Sequence, residues 1–392
     1  MRICLHTFWE VTHDFIGGTE RFLIELSKEL KSLGYAPYIL CTGAEARYTV
    51  EGVEVVADIP DDYKGALAHF GSAKPAFLKA EFIDGRPWKE SLQRLSGLVQ
   101  HQLDRQNADI FHLNSFAAAS FVDLPGPTIV TNHENAQESD HLWGDGFFDF
   151  LVRTAAAGET RLHNHAALAV PSRYYASEYA TAMGIPVQPV KQGIRLDTFP
   201  SMMSRTRRGI PETLRLLLPS RFEPHQKGHD LAVQACGLLA SQGIGFELIF
   251  SGIRDDHAGN VALFQNLIRR EGISDNVRMM RFAEIQEAYA ICDIVLSPER
   301  YCSYGLSVSE SLALGVPTVL SDIPTYHEIA SGYAHAYFFH GGCAEALAEA
   351  ILLARSELSQ EMPGEAIRFR IANDLRECAK VYSDLYRGAV GL

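Results

Sequence analysis

The chain has 392 residues, 47% of them hydrophobic and 21% charged, with a formal net charge of −13 at pH 7. Such a length exceeds what one hydrophobic core usually supports and, at about 150 residues per domain, implies two or three domains, two being the simpler choice. The composition excludes long disorder, and the acidic balance argues against nucleic acid or an anionic lipid surface as the main partner.

Arg2–Thr7 is a short apolar run leading into a loop with Gly17 and Gly18. Phe22, Leu23, Leu26, Leu30 and Leu33 then mark one face of a helix over Thr19–Leu33, which Gly34 stops. Further strand-like runs lie at Pro37–Cys41, Val53–Ala57, Asp109–Leu113, Pro127–Thr131 and Ala166–Pro171. The stretch from about Pro60 to Asn107 is less regular, then helical near Trp88–Gln106, and reads as an elaboration of the first domain. After the polar segment Asp197–Pro211 a second series follows, at Leu214–Pro219, Phe246–Ser251, Val277–Met280, Ile294–Ser297 and Pro317–Ser321. Alternating strands and helices argue for parallel, doubly wound sheets. The expected domains are 1–196 and 197–370, followed by a last segment, 371–392. An amphipathic pattern over Arg368–Arg387 carries Ile371, Leu375, Cys378, Val381 and Leu385 at helical spacing.

Seven cysteines without a CxxC pair, scattered from Cys4 to Cys378, read as reduced thiols with no disulfide framework and no metal cluster. MRICLHTFW lacks the long apolar region of a signal peptide, and no run reaches membrane length, so the expected location is cytoplasmic. The basic run Arg205, Arg207, Arg208 reads as a solvated loop.

Chemistry concentrates in Ser297–Glu328. There a turn leads into a helix whose first N–H groups, at Gly305, Leu306 and Ser307, suit an anion such as a diphosphate. One turn on, Glu310 can accept hydrogen bonds from ribose hydroxyls. Arg221 and Lys227, in SRFEPHQKGHD, follow a parallel strand and precede a helix, at the carboxyl end where open α/β sheets bind ligands. Two cations there can neutralise a departing diphosphate.

Around Tyr304-Gly305-Leu306 and Glu310 the sequence resembles the retaining glycosyltransferases of the GT-B fold, family 4 type, whose signature is two glutamates separated by seven residues. Cys302 stands where the first glutamate, which usually touches the donor sugar, is expected; Glu299 lies just upstream in the same loop and could reach that place. The resemblance extends to the Arg221…Lys227-Gly228 spacing and to the Gly17-Gly18-Thr19-Glu20 loop near donor phosphates and acceptor. His133, in TIVTNHENAQ, matches a histidine that contacts the donor sugar, with Glu134 and Asn135 as neighbouring candidates. PVKQGIRLDTF resembles the interdomain segment, with Gln192 and Arg195 replacing its Asn and Asp. Glu328 matches a common glutamate and equally suits capping the next helix, and Arg281–Ile285 occupies the place where backbone reads the nucleobase.

The resemblance implies two Rossmann-like domains facing across a cleft, with a last helix crossing back to the first. It implies transfer from a nucleotide-diphosphate sugar, UDP-sugar being the expected donor, to a hydroxyl. His133, Arg221 and Lys227 would be catalytic. Gly17, Gly18, Glu299, Cys302, Ser303, Tyr304, Gly305, Leu306, Ser307 and Glu310 would bind the donor. No cofactor and no metal are expected, since Arg, Lys and helix N–H groups can substitute for a cation. Expected partners are the nucleotide sugar and a glycan or small-molecule acceptor, with a homodimer left open. A nucleotide-sugar epimerase and a non-catalytic, nucleotide-sugar-binding subunit share the fold and stand as alternatives.

Overall fold

The computed structural model describes residues 1–8, 10–12, 18–64, 86–124, 126–195, 210–253, 258–281, 285–358 and 363–392. The chain divides into two compact units, one of Met1–Gly193 with Leu375–Leu392 and the other of Ile194–Asp374. Each is a Rossmann-like α/β unit built on its own mainly parallel sheet.

The first unit has strands β1 (Arg2–Thr7), β2 (Ala36–Thr42), β3 (Ala46–Val50), β4 (Val53–Asp58), β5 (Ile110–Leu113), β6 (Thr128–Thr131), β7 (Ala167–Val170) and β8 (Gln188–Pro189), in the order β3-β4-β2-β1-β5-β6-β7-β8. All neighbours pair in parallel except β3 with β4. That hairpin was not foreseen: Glu51 and Gly52, both at positive φ, form the tight turn that lets β3 fold back as an edge strand. Helix Gly18–Ser32 packs its Phe22, Leu23, Leu26 and Leu30 on one sheet face, and helix Trp88–Asp104 its Leu92, Leu95 and Val99 on the other.

The expected last helix over Arg368–Arg387 is two helices, Pro363–Ala372 and Leu375–Val390. The break falls at Asn373 and Asp374, where Asp374 bridges to Ile194 and the Asn373 carbonyl accepts from the Ile194 amide. The buried face also differs. Ile371 and Val381 are 73% and 44% exposed, while Leu375, Cys378, Ala379, Tyr382 and Tyr386 are buried. Two tyrosines displace aliphatic residues from the core because their hydroxyls find buried partners. Tyr386 Oη bonds His112 Nδ1 at 2.7 Å, Tyr382 Oη bonds Thr131 Oγ1 at 3.0 Å, and Thr131 Oγ1 bonds His112 Nε2 at 2.7 Å. The C-terminal helix is thereby fixed to β5 and β6 of the first unit. Burial, with a smaller contribution from His133, holds the His112 imidazole neutral, pushed down to about 3.

The second unit has strands β9 (Leu214–Pro219), β10 (Phe246–Ile253), β11 (Val277–Arg281), β12 (Ile294–Ser297), β13 (Thr318–Ser321) and β14 (Ala336–Phe339), all parallel, in the order β11-β10-β9-β12-β13-β14. The near-continuous apolar runs LRLLLP and IVLS reflect strands covered on both faces. One cluster around Leu216, Leu218, Phe250 and Leu296 holds the helices His229–Ser241 and Ala344–Ser356. Leu217, Ile249 and Val295 face helix Ile285–Ile291 on the other side. The edge strand β14 was also not foreseen.

Candidate functional site

In the second unit the carboxyl ends of β9 and β12 adjoin, and the loops that follow them interlock. The β9 loop runs through Arg221 and Lys227 to Gly228, which opens helix His229–Ser241 with φ of 69°. A Cβ on Gly228 would lie 2.1 Å from the Pro298 carbonyl oxygen, so only glycine permits this approach. The next two residues of the β12 loop grip the same turn. Glu299 Oε1 accepts from Lys227 Nζ at 3.4 Å, the two side chains being 3% and 13% exposed. Arg300 donates both guanidinium arms to Asp230, at 2.9 and 2.8 Å, donates again to the His225 carbonyl, and its amide donates to the Gln226 carbonyl at 3.0 Å. A bidentate pair of this kind fixes orientation as well as charge. Arg221, 58% exposed, donates to Gln226 Oε1 at 3.2 Å and lies 3.8 Å from Glu223.

Downstream, Gly305 (φ 99°) caps helix Leu306–Ala313, so the first-turn N–H groups point out of a left-handed turn. Half-buried Glu310 accepts from the buried Tyr289 hydroxyl at 3.1 Å, and that hydroxyl also lies 3.3 Å from the Ser307 carbonyl oxygen. Burial first, and then Glu310, keep the Tyr289 phenol protonated by pushing it well above its ordinary range. Tyr326, in helix Pro324–Ala330, is the second buried phenol. Its hydroxyl donates to Glu299 Oε2 and also bonds the Cys302 side chain, while Thr325 Oγ1 donates to the Cys302 carbonyl at 2.9 Å.

In the first unit His133 sits just past β6, and both ring nitrogens are engaged. Nδ1 accepts from Gln192 Nε2 at 2.7 Å, and Nε2 donates to Asn114 Oδ1 at 2.9 Å. Burial pushes the imidazole down to about 4, so it is neutral. Glu134 Oε2 accepts from Ser139 Oγ at 3.2 Å and Trp143 Nε1 at 3.3 Å. Burial outweighs both donors and pushes this carboxyl up to about 7. Asn135 is committed to structure: it caps helix Ala136–Trp143 in a capping box with Glu138. Gly18 opens the first helix, and Glu20 near it accepts from Thr7 Oγ1 at 3.1 Å.

Residues 204–368 match the family described as glycosyl transferases group 1, and residues 16–197 match glycosyltransferase family 4. The chain belongs to the family 4 type, group 1 glycosyltransferases. Among relatives, this glycosyltransferase is 27% identical over 327 residues to the amylovoran biosynthesis glycosyltransferase AmsK of Erwinia amylovora, covering 76% of each chain. It is 26% identical over 110 residues to the lipopolysaccharide core biosynthesis mannosyltransferase LpsB of Rhizobium meliloti (strain 1021), a match spanning 28% of this chain and only 31% of LpsB. In fold it is similar to sucrose-phosphate synthase of Thermosynechococcus elongatus (TM-score 0.71, 15% identity, 100% of this chain and 99% of that one). It is likewise similar to Anabaena HepE in complex with UDP-glucose (TM-score 0.65, 15% identity, 98% of each).

In this glycosyltransferase Arg221, Lys227, Glu299, Cys302, Ser303, Gly305, Leu306, Ser307 and Glu310 gather on the carboxyl side of one sheet. Tyr304 does not present itself as a ligand contact: it is buried in a cluster with Val308, Leu312 and Tyr326. Glu328 does not cap: it lies inside helix Pro324–Ala330, whose N-cap is Ile323. Gly17 and residues 282–284 lie outside the described residues. Sequence reading missed Tyr289, Tyr326 and Arg300 in the second unit and Asn114 in the first. Gln192, read only as a departure, holds His133 together with Asn114. Among the described residues, no group of three His, Cys, Asp or Glu side chains is arranged to hold a metal, and no helix is long and apolar enough to cross a membrane.

Proposed function

We propose that this glycosyltransferase moves a sugar, with retention of configuration, from a nucleotide-diphosphate donor to a hydroxyl of a glycan acceptor. The observation that supports the reading is the chain from Lys227 through Glu299 to Tyr326, which ties the β9 loop to the Gly305 turn on the carboxyl side of one sheet. In the reaction the acceptor oxygen forms a bond to the anomeric carbon while the bond from that carbon to the diphosphate oxygen breaks. The acceptor proton passes to the departing phosphate on the same face. Negative charge grows on the diphosphate, and Arg221, Lys227 and the N–H groups of Leu306 and Ser307 supply the opposing potential. No bound cation is required in this scheme. Glu310, oriented by Tyr289, accepts from ribose hydroxyls.

UDP-sugar is the donor we infer, a choice supported by HepE, determined with UDP-glucose. A glycan acceptor is favoured over a small aglycone because LpsB is named for lipopolysaccharide core biosynthesis and AmsK for amylovoran biosynthesis. LpsB is named a mannosyltransferase, so mannosyl donors belong in the test.

The experiment is a donor panel with oligosaccharide acceptors, read by nucleotide release and by the anomeric configuration of the product, with and without chelator. Retained configuration with chelator-insensitive transfer is expected. Inverted product, or an epimerised sugar without transfer, overturns the proposal.

A further inference from the structure

Three consecutive residues, Pro298, Glu299 and Arg300, each contact the cationic loop. Pro298 occupies the space a side chain at Gly228 would need, and Arg300 ties down His225, Gln226 and Asp230. Between them Glu299 does something different, because it engages a functional side chain and not the loop backbone. Its two oxygens are divided, Oε1 to the Lys227 ammonium and Oε2 to the Tyr326 hydroxyl. The carboxylate is almost wholly buried, so its attraction for Lys227 is little screened by water.

The consequence is an electrostatic competition. An ammonium already paired with a buried carboxylate offers less to a diphosphate than an unpaired one. The strength of that pairing depends on how much of the carboxylate's charge Tyr326 takes up through its hydrogen bond. The 3.4 Å separation from Lys227 is long for a charge-assisted bond, so Lys227 can turn to a phosphate oxygen without breaking a tight contact.

We propose that Glu299 is a positioning residue that acts through Lys227, holding the ammonium at the β9–β12 junction and limiting how tightly the nucleoside diphosphate is retained, with Tyr326 setting the strength of that restraint. This rests on the reading of Lys227 as a phosphate contact. Removing the competing charge should therefore tighten nucleotide binding and slow product release. A glutamate that merely stabilised the loop would weaken binding when replaced.

Titration of UDP, and in parallel GDP, by calorimetry into the full-length chain and four variants tests this. Lys227→Ala is expected to weaken the nucleotide by about tenfold or more, as loss of a charged contact should. Glu299→Gln is expected to tighten it by about 3- to 10-fold. Tyr326→Phe, which returns charge to the carboxylate, should weaken it by about 2- to 5-fold. In the Glu299→Gln, Lys227→Ala double variant the gain should vanish, since its route is Lys227. A Glu299→Gln change that weakens or does not alter affinity, or a gain that survives without Lys227, overturns the inference while leaving the phosphate role of Lys227 standing. Unchanged affinity in Lys227→Ala instead removes the underlying reading, and this inference with it. Should Glu299→Gln fail to fold, Tyr326→Phe decides alone: tighter or equal binding there contradicts the proposal.

Discussion

Gly305 lies so close to Tyr326 that a Cβ built on it would sit 2.6 Å from the ring carbon Cε1. The turn that presents the helix N–H groups and the phenol that holds Glu299 are therefore one packed unit. Gly305→Ala must move that ring and also hold alanine at φ of 99°. We expect a loss of about 1–3 kcal/mol by chemical denaturation, together with weaker nucleotide binding. As a control, Gly97→Ala, on the exposed side of helix Trp88–Asp104 with open space around it, should stabilise by about 0.5–1 kcal/mol.

Arg300→Lys keeps the charge but loses the bidentate contact with Asp230 and the reach to the His225 carbonyl. The loop carrying Arg221 and Lys227 should loosen, lowering donor affinity by about 3- to 10-fold, near 1 kcal/mol. Because the Arg300 contacts are all with the β9 loop and the helix it opens, the anomeric configuration of the product and the choice of sugar should not change, which product analysis would check.

Glu134 offers a pH test with a definite sign. Its folded value of about 7 lies above the ordinary 4.5, so between those values the folded chain holds a proton that the unfolded chain has released. Stability from this group is complete below pH 4.5 and is lost as pH rises through 7. Glu134→Gln should therefore stabilise the protein at pH 8 by about 1–3 kcal/mol and give no gain near pH 4.5. Denaturation curves at the two values measure the difference.

The buried histidines run the other way. His6 and His133 are pushed down to about 4, and His112 to about 3, each chiefly by burial, from an ordinary 6.5. Below pH 6.5 the unfolded chain binds protons that the folded chain refuses, so stability is full above 6.5 and falls as pH drops, by up to about 1.4 kcal/mol per pH unit for each histidine. Tyr386→Phe, which removes the partner of His112 Nδ1, should cost about 1–3 kcal/mol. It should also raise hydrogen exchange in helix Leu375–Val390, because that bond fixes the helix to β5.

The strands of both sheets were largely legible because fully covered parallel strands leave uninterrupted apolar runs such as LRLLLP and IVLS. The edge strands β3, β8 and β14 were not: β3 is largely exposed and polar, β8 is two residues long, and β14 is fully buried on only one face. The C-terminal helix was legible as a helix but not by its face, since Tyr382 and Tyr386 enter the core only where His112 and Thr131 supply partners. At the site, the residues that form local motifs could be found from spacing. Their keepers could not, because Lys227 and Glu299 are 72 residues apart, Arg300 and Asp230 are 70 apart, and Tyr326 and Glu299 are 27 apart. No local pattern of the chain encodes such pairs. Cys302 illustrates the gain: it read as a missing carboxylate, and the structure shows it meeting Glu299 at the Tyr326 hydroxyl, so Cys302→Glu would set two carboxylates on one phenol.

The most direct test of the diphosphate site is a crystal of the chain soaked with UDP, with GDP in parallel. The account predicts diphosphate oxygens within hydrogen-bond reach of Lys227 Nζ and of the Leu306 and Ser307 amides, with the ribose hydroxyls on Glu310. A nucleotide that binds with its phosphates away from Lys227 and the Gly305 turn would contradict it.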